Sequence, residues 1–404
     1  MGELCDLETT ALVYGGEALG RLGDGTVVLV PYGLPGERLR VRITETGRGY
    51  VRAELLEVRR PSPQRQAARC RHFGDCGGCH YQHLSYPDQL ELKRRILCEQ
   101  LVRIAGIHNP PVEPVAPSPS PWEYRNHLQF HLSENGRLGF RAFRAHRVVP
   151  IAECHLPEKP LGQLWPTLQP ALPLGPGAQG QYPAPAGSRR LALRVDSRGR
   201  CLIMSEARQE LRGLGGEEVL EMSVLGERFQ VSPHSFFQVN TRGAETLVRR
   251  VLEHCGEREY GHALDLYCGV GLFSRFLAPR AARTTAVELA ASACADFRVN
   301  CAALPGLRLL ESDAVTALAL IRDPPQLVVA DPPRAGLGSQ VIRRLTQWRP
   351  GTLVYVSCDP ATLARDAALL LRQGWTLRTV SPVDLFAQTA HIESVSLWRA
   401  PGRE

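Results

Sequence analysis

The sequence predicts a multi-domain chain: a small closed β-barrel of the OB kind at the N-terminus, a mostly β middle carrying a cysteine cluster, and a C-terminal α/β region of the Rossmann-like, doubly wound kind. Three observations predict it. Residues 1 to 60 alternate short apolar runs with glycine turns; Cys70, Cys76 and Cys79 fall within ten residues; and beyond Thr241 helical patterns alternate with apolar strands that end in a glycine loop, an acid or a thiol. A chain of 404 residues exceeds one ordinary domain and can bury a core that needs no staples.

In the first segment Val27–Pro31, Arg38–Ile43 and Tyr50–Val58 read as strands, punctuated by Gly15-Gly16, Asp24-Gly25, Pro35-Gly36 and Gly47 to Gly49. Arg38, Arg40, Arg42, Arg48, Arg52, Arg59 and Arg60 would give the barrel a basic face for an RNA backbone, with a solvated charged face on a structural barrel as the competing reading. RRPSPQRQ reads as a linker. In CRHFGDCGGCHYQH, the C-x5-C-x2-C spacing brings three thiolates within reach of one centre, and the glycines permit tight turns. Tetrahedral zinc or a cubane cluster needs a fourth ligand. Cys154, in IAECHLPE, is the best candidate, and His72, His80, His83 and His155 compete with it. Spacing alone does not separate zinc from iron–sulfur.

Tyr86 to Gly106 is helical in pattern, with Leu90, Leu97, Leu101 and Ile104 on one side and Lys93, Arg94 and Arg103 available for the polar surface; it reads as a packing helix. Pro110 to His127 is too rich in proline for regular structure and marks a domain crossing. HLQFHLSENGRLGFRAFRAHRVVPI then reads as a β-hairpin with an Asn135-Gly136 turn. Its surroundings carry Arg125, His127, Arg137, Arg141, Arg144 and Arg147 interleaved with Phe130, Phe140 and Phe143, a mixture suited to phosphate pairing and base stacking. Strand alternation turns half of those rings inward. Leu156 to Gly187 is rich in proline and glycine, with one short helix around Leu161–Leu168. Strands near Arg190–Val195, Cys201–Met204 and Glu218–Leu225 extend the middle region to about residue 230.

After FQVSPHSFFQVN, a helix from Thr241 to His254 leads into the α/β region. HALDLYCGVGLFSRFLA is strand, glycine loop, helix, and Gly269 and Gly271 let the backbone approach a ligand at the helix N-terminus. The strand TTAVEL carries Glu288, placed to bind both hydroxyls of a ribose, and ESDAV puts Asp313 after a third strand, where it suits an adenine amino group. Three such strand ends without the full six-residue dinucleotide pattern favour S-adenosylmethionine over NAD. Further on, QLVVA ends in Asp331 of DPPRAGL, GTLVYVS ends at Cys358 before the helix opened by Asp359-Pro360, and Glu393 of HIESVSLW enters the last strand. An acid, a thiol and a carboxylate at neighbouring strand ends make a three-part site. The dipole of the helix after Cys358 is expected to lower the thiol's pKa.

A net charge of +7 and a pI near 8.9 suit a polyanionic partner. No apolar run reaches the roughly 20 residues that a membrane helix needs, and the N-terminus lacks a signal-peptide pattern. A cytoplasmic monomer is expected, in which the twelve cysteines do not form a disulfide framework.

With these residues in place the chain resembles the RNA uracil-5 methyltransferases, specifically the bacterial 23S ribosomal RNA type with an N-terminal TRAM barrel and a [4Fe–4S] cluster. The similar stretches span almost the whole chain: CRHFGDCGGCHYQH with AECHLPE, SPHSFFQVN, LDLYCGVGLFS, AVELA, DPPRAGL, VSCDPATLARD and HIESVSLW. The resemblance implies Cys358 as the nucleophile that adds to carbon 6 of uracil, Glu393 as the base that removes the carbon 5 proton, and a uridine flipped out of its stack. It implies cofactor contacts from Gln238, Tyr267, Glu288 and Asp331, joined by Asp313, and cluster ligation by Cys70, Cys76, Cys79 and Cys154. It also implies discontinuous domains: a TRAM barrel over 1–60, a central domain over 61–85 and 115–230, and a methyltransferase domain over 86–114 and 231–404. Ala387 and Gln388 depart from a Pro-His pair common in relatives, Asp359 stands where some have Asn, and Leu272 replaces a polar residue of the glycine loop. Transfer RNA is the competing substrate. A cytosine methyltransferase and a non-catalytic RNA-binding iron–sulfur protein are the alternatives from other classes.

Overall fold

The first five strands, β1 (Leu4–Leu12), β2 (Glu17–Arg21), β3 (Val27–Pro31), β4 (Arg38–Gly47) and β5 (Tyr50–Arg60), close into a barrel in the order β1-β2-β3-β5-β4. Leu7, Val28, Val30, Leu39, Val41 and Ala53 fill it. The computed structural model describes residues 2–133, 136–168, 190–207, 210–213 and 219–402. β1 and β2 are absent from the sequence prediction, and the reason lies in Thr9. It faces inward, 1% exposed, where an apolar residue would have marked a strand, and its hydroxyl is satisfied by the carbonyl oxygens of Leu34 and Glu37. A register shift between Thr9 and Ala11 further breaks the alternation.

Helix α1 (Tyr86–Ala105) starts where Ser85 accepts from the Asp88 amide and Pro87 occupies the first turn, and it stops at Gly106 in the left-handed conformation. Its buried face is Gln89, Leu92, Lys93, Ile96, Leu97 and Leu101, a stripe rotated from the one expected. Ile104 is exposed, and Lys93, expected on the surface, is fully enclosed.

The middle region holds β6 (His127–Leu132), β7 (Leu138–Arg141), β8 (Val148–Pro150), α2 (Lys159–Leu168), β9 (Arg190–Val195), β10 (Cys201–Ala207) and β11 (Glu210–Gly213). The strands form one sheet in the order β11-β10-β9-β6-β7-β8. Leu161, Trp165 and Leu168 of α2 pack on Phe130, Leu191 and Leu193. β6 and β7 pair as an antiparallel hairpin, with His131 opposite Gly139; Asn135 of the expected turn and Glu218 of an expected strand lie outside the described residues, as do 169–187 of the Pro/Gly-rich stretch. A two-stranded ribbon, β12 (Leu220–Val224) and β13 (Glu227–Val231), follows.

The C-terminal region is α3 (Thr241–Cys255), β14 (Ala263–Leu266), α4 (Leu272–Leu277), β15 (Thr284–Glu288), α5 (Ala291–Asn300), β16 (Leu307–Glu311), α6 (Ala314–Leu320), β17 (Leu327–Ala330), α7 (Gly338–Trp348), β18 (Thr352–Ser357), α8 (Pro360–Arg372), β19 (Thr376–Val383) and β20 (Glu393–Arg399). Its sheet order is β16-β15-β14-β17-β18-β20-β19. The first five run parallel, and β20 inserts antiparallel between β18 and β19. Ser357 pairs with Ser394, so the last residue of β18 stands opposite the second of β20, and Cys358 follows the one as Glu393 precedes the other. That register brings Cys358 and Glu393 to one place.

α1 belongs to this layer although it precedes the middle sheet in sequence. Leu92, Ile96, Leu97 and Leu101 share one core with Tyr355, Leu363, Ala367 and Val380. The proline-rich segment runs along β19 rather than crossing free: Glu113 and Ala116 amides donate to the carbonyls of Val380 and Pro382, and the Val380 amide donates to Pro111. Lys93 Nζ donates to Asp384 Oδ1 at 2.6 Å and to the Phe386 carbonyl at 3.0 Å, while Tyr86 Oη donates to Asp384 Oδ2 at 2.8 Å. Among the described residues no helix is long and apolar enough to cross a membrane.

Lys93→Met would strand Asp384 as a buried, uncompensated charge and is expected to cost about 3–5 kcal/mol. Urea unfolding measures it, and Lys93→Met/Asp384→Asn, which removes both charges, should recover part of the loss. A wild-type midpoint for the single variant would show that the pair does not hold the helix to the sheet.

Candidate active site

The thiol, the base candidate and the acid converge. Cys358, half-buried, follows β18 directly, Glu393 opens β20 and is 4% exposed, and Asp331 follows β17 with its amide donating to Leu266 O at 3.2 Å. Burial first, and then the Glu393 and Asp331 carboxylates, push the Cys358 thiol up to about 11. Where the helix dipole was expected to lower the thiol, enclosure and acids on neighbouring strands raise it. Burial also raises Glu393 well above the usual carboxylate range, with Asp331 adding to the effect. Asp331 itself is pushed up to about 7 by burial. In the free site the Cys358 thiol holds its proton at neutral pH.

One cation faces them from the DPPRAGL loop. Arg334 stabilises the charged forms of both Cys358 and Glu393 and opposes the larger effect of burial. Thr362 Oγ1 donates to the Arg334 carbonyl at 3.0 Å, and the Leu337 amide donates to Asp366 Oδ2 at 2.7 Å, so α8 carries this loop. Arg334 Nη2 also donates to His391 Nδ1 at 3.4 Å, which assigns that ring nitrogen as an acceptor. Burial drives His391 down to about 3, with Arg334 adding to it, so the ring is neutral. Asp359, next to the thiol, caps α8 by accepting from the Thr362 amide at 2.9 Å, and its other oxygen accepts from Tyr14 of the barrel at 2.7 Å.

The segment from Asp384 to Ile392 has no regular structure and is nevertheless buried. Its backbone groups are met from outside: His80 and Tyr81 amides donate to Gln388 O at 2.8 and 3.1 Å, Tyr124 Oη to Ala387 O at 2.9 Å, and Ala390 N to His80 Nδ1 at 3.2 Å. Gln89 exchanges two hydrogen bonds with Gln388, at 2.9 and 3.0 Å.

The glycine loop follows β14, the strand that pairs with β17. Gly269 takes φ +55°, and a Cβ there would meet open space, so the backbone borders a volume that a ligand can fill. Glu288 Oε2 accepts from the Gly269 amide at 2.9 Å, and Oε1 accepts from Leu289 and Ala290 at 2.8 and 2.7 Å. Leu289 beside it is 69% exposed. Asp313, exposed, caps α6 through the Thr316 amide, which holds its carboxyl below the usual range. Tyr267, at φ +64°, lies near enough to Asp313 and Asp366 for their charges to add to the effect of burial on its hydroxyl. Gln238 is buried, and its carbonyl accepts from Asn126 Nδ2 at 2.9 Å. Asp265, which sequence reasoning passed over, lies under the loop: Ser274 donates to Oδ2 at 2.6 Å, Oδ1 is buried without a partner, and burial raises the carboxyl to about 7.

Cys70, Cys76, Cys79 and Cys154 line one cavity of about 60 Å³, together with Arg125, Phe140 and Leu156. Among the described residues no three His, Cys, Asp or Glu side chains converge on a single metal-sized point. Burial raises all four thiols, Cys76 and Cys154 to about 11, and Arg125 Nε is buried there without a hydrogen-bond partner. Of the competing ligands, His80 and His72 are engaged elsewhere, with Ala390 N and Ala152 N.

The arginines of the expected basic faces are mostly paired. Arg38 and Arg40 meet Asp6, Arg42 meets Glu54, Arg52 meets Glu17 and Glu45, Arg59 meets Glu57, and Arg60 meets Glu8. Arg144 reaches Glu17 at 2.9 Å, and Arg147 meets Asp75. Phe130 stacks on Phe140, and Phe143 packs against Tyr32 and His80. Phe236, in SPHSFFQVN, is by contrast 67% exposed.

Two family models match the chain: the TRAM domain over residues 6–56, and tRNA (Uracil-5-)-methyltransferase over residues 215–309 and 316–400. An uncharacterized RNA methyltransferase of Streptomyces coelicolor is 32% identical over 429 residues, covering 98% of this chain and 93% of the relative. One of Nitratidesulfovibrio vulgaris is 34% identical over 452 residues, covering 98% and 96%. The solved structure of a Pyrococcus abyssi tRNA (uracil-54, C5)-methyltransferase in complex with S-adenosyl-L-homocysteine superimposes with a TM-score of 0.76, over 97% of this chain and 100% of that one, at 24% identity. At that identity it establishes likeness of fold.

Glu393 carries a stability signature. Its carboxyl, raised above the ordinary value of 4.5, keeps a proton that the unfolded chain has released. Its contribution is fully present below 4.5 and declines as pH rises towards the folded value. Glu393→Gln, which needs no proton, should flatten that decline when denaturation midpoints are followed against pH. An unchanged slope would place the proton elsewhere.

Proposed function

The chain belongs to the family of S-adenosylmethionine-dependent RNA uracil-5 methyltransferases, and from that premise we propose that it methylates carbon 5 of a uridine in 23S ribosomal RNA through a covalent Cys358 adduct. The observation that carries the reading is the register of β18 against β20, which sets a thiol and a buried carboxyl side by side next to Asp331.

Carbon 5 of uracil is a poor nucleophile. Addition of the Cys358 thiolate at carbon 6 converts the ring to an enolate whose carbon 5 can take a methyl group. The proton that leaves Cys358 passes to the carboxyl pair, where Asp331, at about 7, can accept it near neutral pH. Glu393, once its own proton has passed to solvent, is a carboxylate of raised basicity; it then removes the carbon 5 proton, and the electron pair returns through the ring to expel Cys358 as thiolate. S-Adenosylmethionine supplies the electrophilic methyl group. Gln238, Tyr267, Glu288, Asp313 and Asp331 would hold it beside the glycine loop, where the backbone at Gly269 borders open space. Arg334 balances charge as the thiolate forms.

Cys70, Cys76, Cys79 and Cys154 would hold a [4Fe–4S] cluster. Four thiols around one cavity, with the buried Arg125 Nε facing no acceptor, support an anionic group there. It would supply a cross-link between the loop at Cys70–Cys79 and the segment after β8. The domain division proposed is 1–60, then 61–85 with 115–230, then 86–114 with 231–404, in a cytoplasmic monomer. Transfer RNA is the competing substrate, favoured by the description of the matching family.

Cys358→Ala is expected to abolish methyl transfer, by several powers of ten, while cofactor binding persists; unchanged turnover would sink the nucleophile. Offering 23S ribosomal RNA and transfer RNA transcripts separately with labelled S-adenosylmethionine should give 5-methyluridine in the ribosomal RNA, and label in transfer RNA alone would move the substrate. Protein prepared without oxygen should carry about four irons per chain, against which stoichiometric zinc would count.

A further inference from the structure

We propose that the N-terminal barrel supplies a positioning residue to the reacting thiol: Tyr14, on the turn between β1 and β2, holds the Asp359 carboxylate and through it orients Cys358 and sets the charge around it. The proposal rests on the reading of Cys358 as nucleophile.

Asp359 is fully engaged. Oδ2 accepts from Tyr14 Oη at 2.7 Å, Oδ1 accepts from the Thr362 amide at 2.9 Å, its amide donates to Ser357 Oγ at 3.3 Å, and its carbonyl accepts from that hydroxyl at 3.1 Å. Cys358 is therefore clamped between two residues that hold each other. The groups facing its thiol are Glu393, Asp331 and Asp359 on the acidic side and Arg334 on the basic side; those facing Tyr14 are Asp359, Arg334 and Cys358. Three acids against one cation make a thiolate costly. A phenol hydroxyl is suited to ease this, because it draws the Asp359 charge onto itself without adding one of its own.

The turn is built for this close approach. The Val13 amide donates to Glu17 O and the Gly16 amide to Val13 O, which closes it and presents Tyr14. Gly16 sits at φ +87°, and a Cβ on it would stand 3.1 Å from the His80 Cβ and 3.3 Å from the Ala390 Cβ. The turn is thus wedged between the cysteine loop and the segment leading to Glu393. Glu17, 1% exposed, fixes its base by pairing with Arg52 at 3.1 Å and with Arg144 of the middle region at 2.9 Å. An acid beside the thiol and a neutral donor brought 345 positions to meet it form one device.

The test uses the full-length protein with Tyr14→Phe, Asp359→Asn, the double variant and Cys358→Ala. Two rates are followed against pH: alkylation of Cys358 by iodoacetamide, read on its own peptide by mass spectrometry, and single-turnover methyl transfer at saturating RNA. Tyr14→Phe should lower both near neutral pH by about tenfold, the scale of one hydrogen bond to a charged group, and move the alkylation midpoint up by about one pH unit. In the Asp359→Asn background the same change should do neither. An unmoved alkylation profile, with transfer restored by saturating RNA, would reduce Tyr14 to a docking contact and overturn the proposal. Cys358→Ala keeps the premises apart: if it retains transfer, the nucleophile assignment fails whatever Tyr14 does.

Discussion

The buried pair of Lys93 and Asp384 is the constraint from which the reacting end of the sheet hangs. The chain between β19 and β20 must carry Glu393 into position without helix or strand to satisfy its backbone, and it does so inside the protein, where each unmet polar group costs about 1–3 kcal/mol. α1 answers this with side chains. Lys93 meets Asp384 and the Phe386 carbonyl, Tyr86 meets the other Asp384 oxygen and receives the Ser118 amide at 2.7 Å, and Gln89 closes a two-bond ring with Gln388. A buried ion pair adds little to stability over an apolar equivalent. What this one provides is a unique seat for a helix that precedes the middle sheet by more than twenty residues and must return to the C-terminal layer.

The second constraint is charge. The β14, β17, β18 and β20 ends bring Asp265, Asp331, Asp359 and Glu393 within one neighbourhood, opposed by Arg334. Enclosed carboxyls that cannot all ionise share protons instead. Each charge that appears in the proposed reaction has a proton acceptor or a cation beside it. The raised pKa of Glu393 is thus the condition for it to act as a strong base once the carbon 5 proton is presented. The same enclosure disfavours the Cys358 thiolate until the ring that accepts it is in place.

Much of this was legible from local pattern. The parallel strands of the C-terminal region are continuous apolar runs, their ends are marked by glycine, acid or thiol, and α1 announces its limits with Ser85, Pro87 and Gly106. What sequence could not supply was set by partners far along the chain. Lys93 looks like a surface cation because its counter-charge is 291 positions away. Thr9 hides a strand because carbonyls of the β3–β4 connection satisfy its hydroxyl. The direction of the Cys358 shift was misread because the dipole of α8 is local, whereas the burial that raises the thiol, and the acids that add to it, come with β17 and β20. Arg334 stood inside a recognised motif without a role, since only the fold turns it towards the thiol.

The barrel is the element whose contribution changes most between sequence and structure. Its arginines suggest a grip on phosphate, yet in the free protein six of them already meet acids, all of these on the barrel itself. Exposed pairs of this kind are worth roughly 0–1 kcal/mol, so exchanging a carboxylate for a phosphate is inexpensive, and the surface can still serve a polyanion. It follows that the barrel's arginines are poor candidates for fixing where an RNA strand sits; that information must come from how the barrel is held. It is held at Glu17, Gly16 and Tyr14, against Arg144, His80, Ala390 and Asp359 in turn. Any rotation of the barrel under a bound strand would be felt first at Asp359, one residue from the thiol.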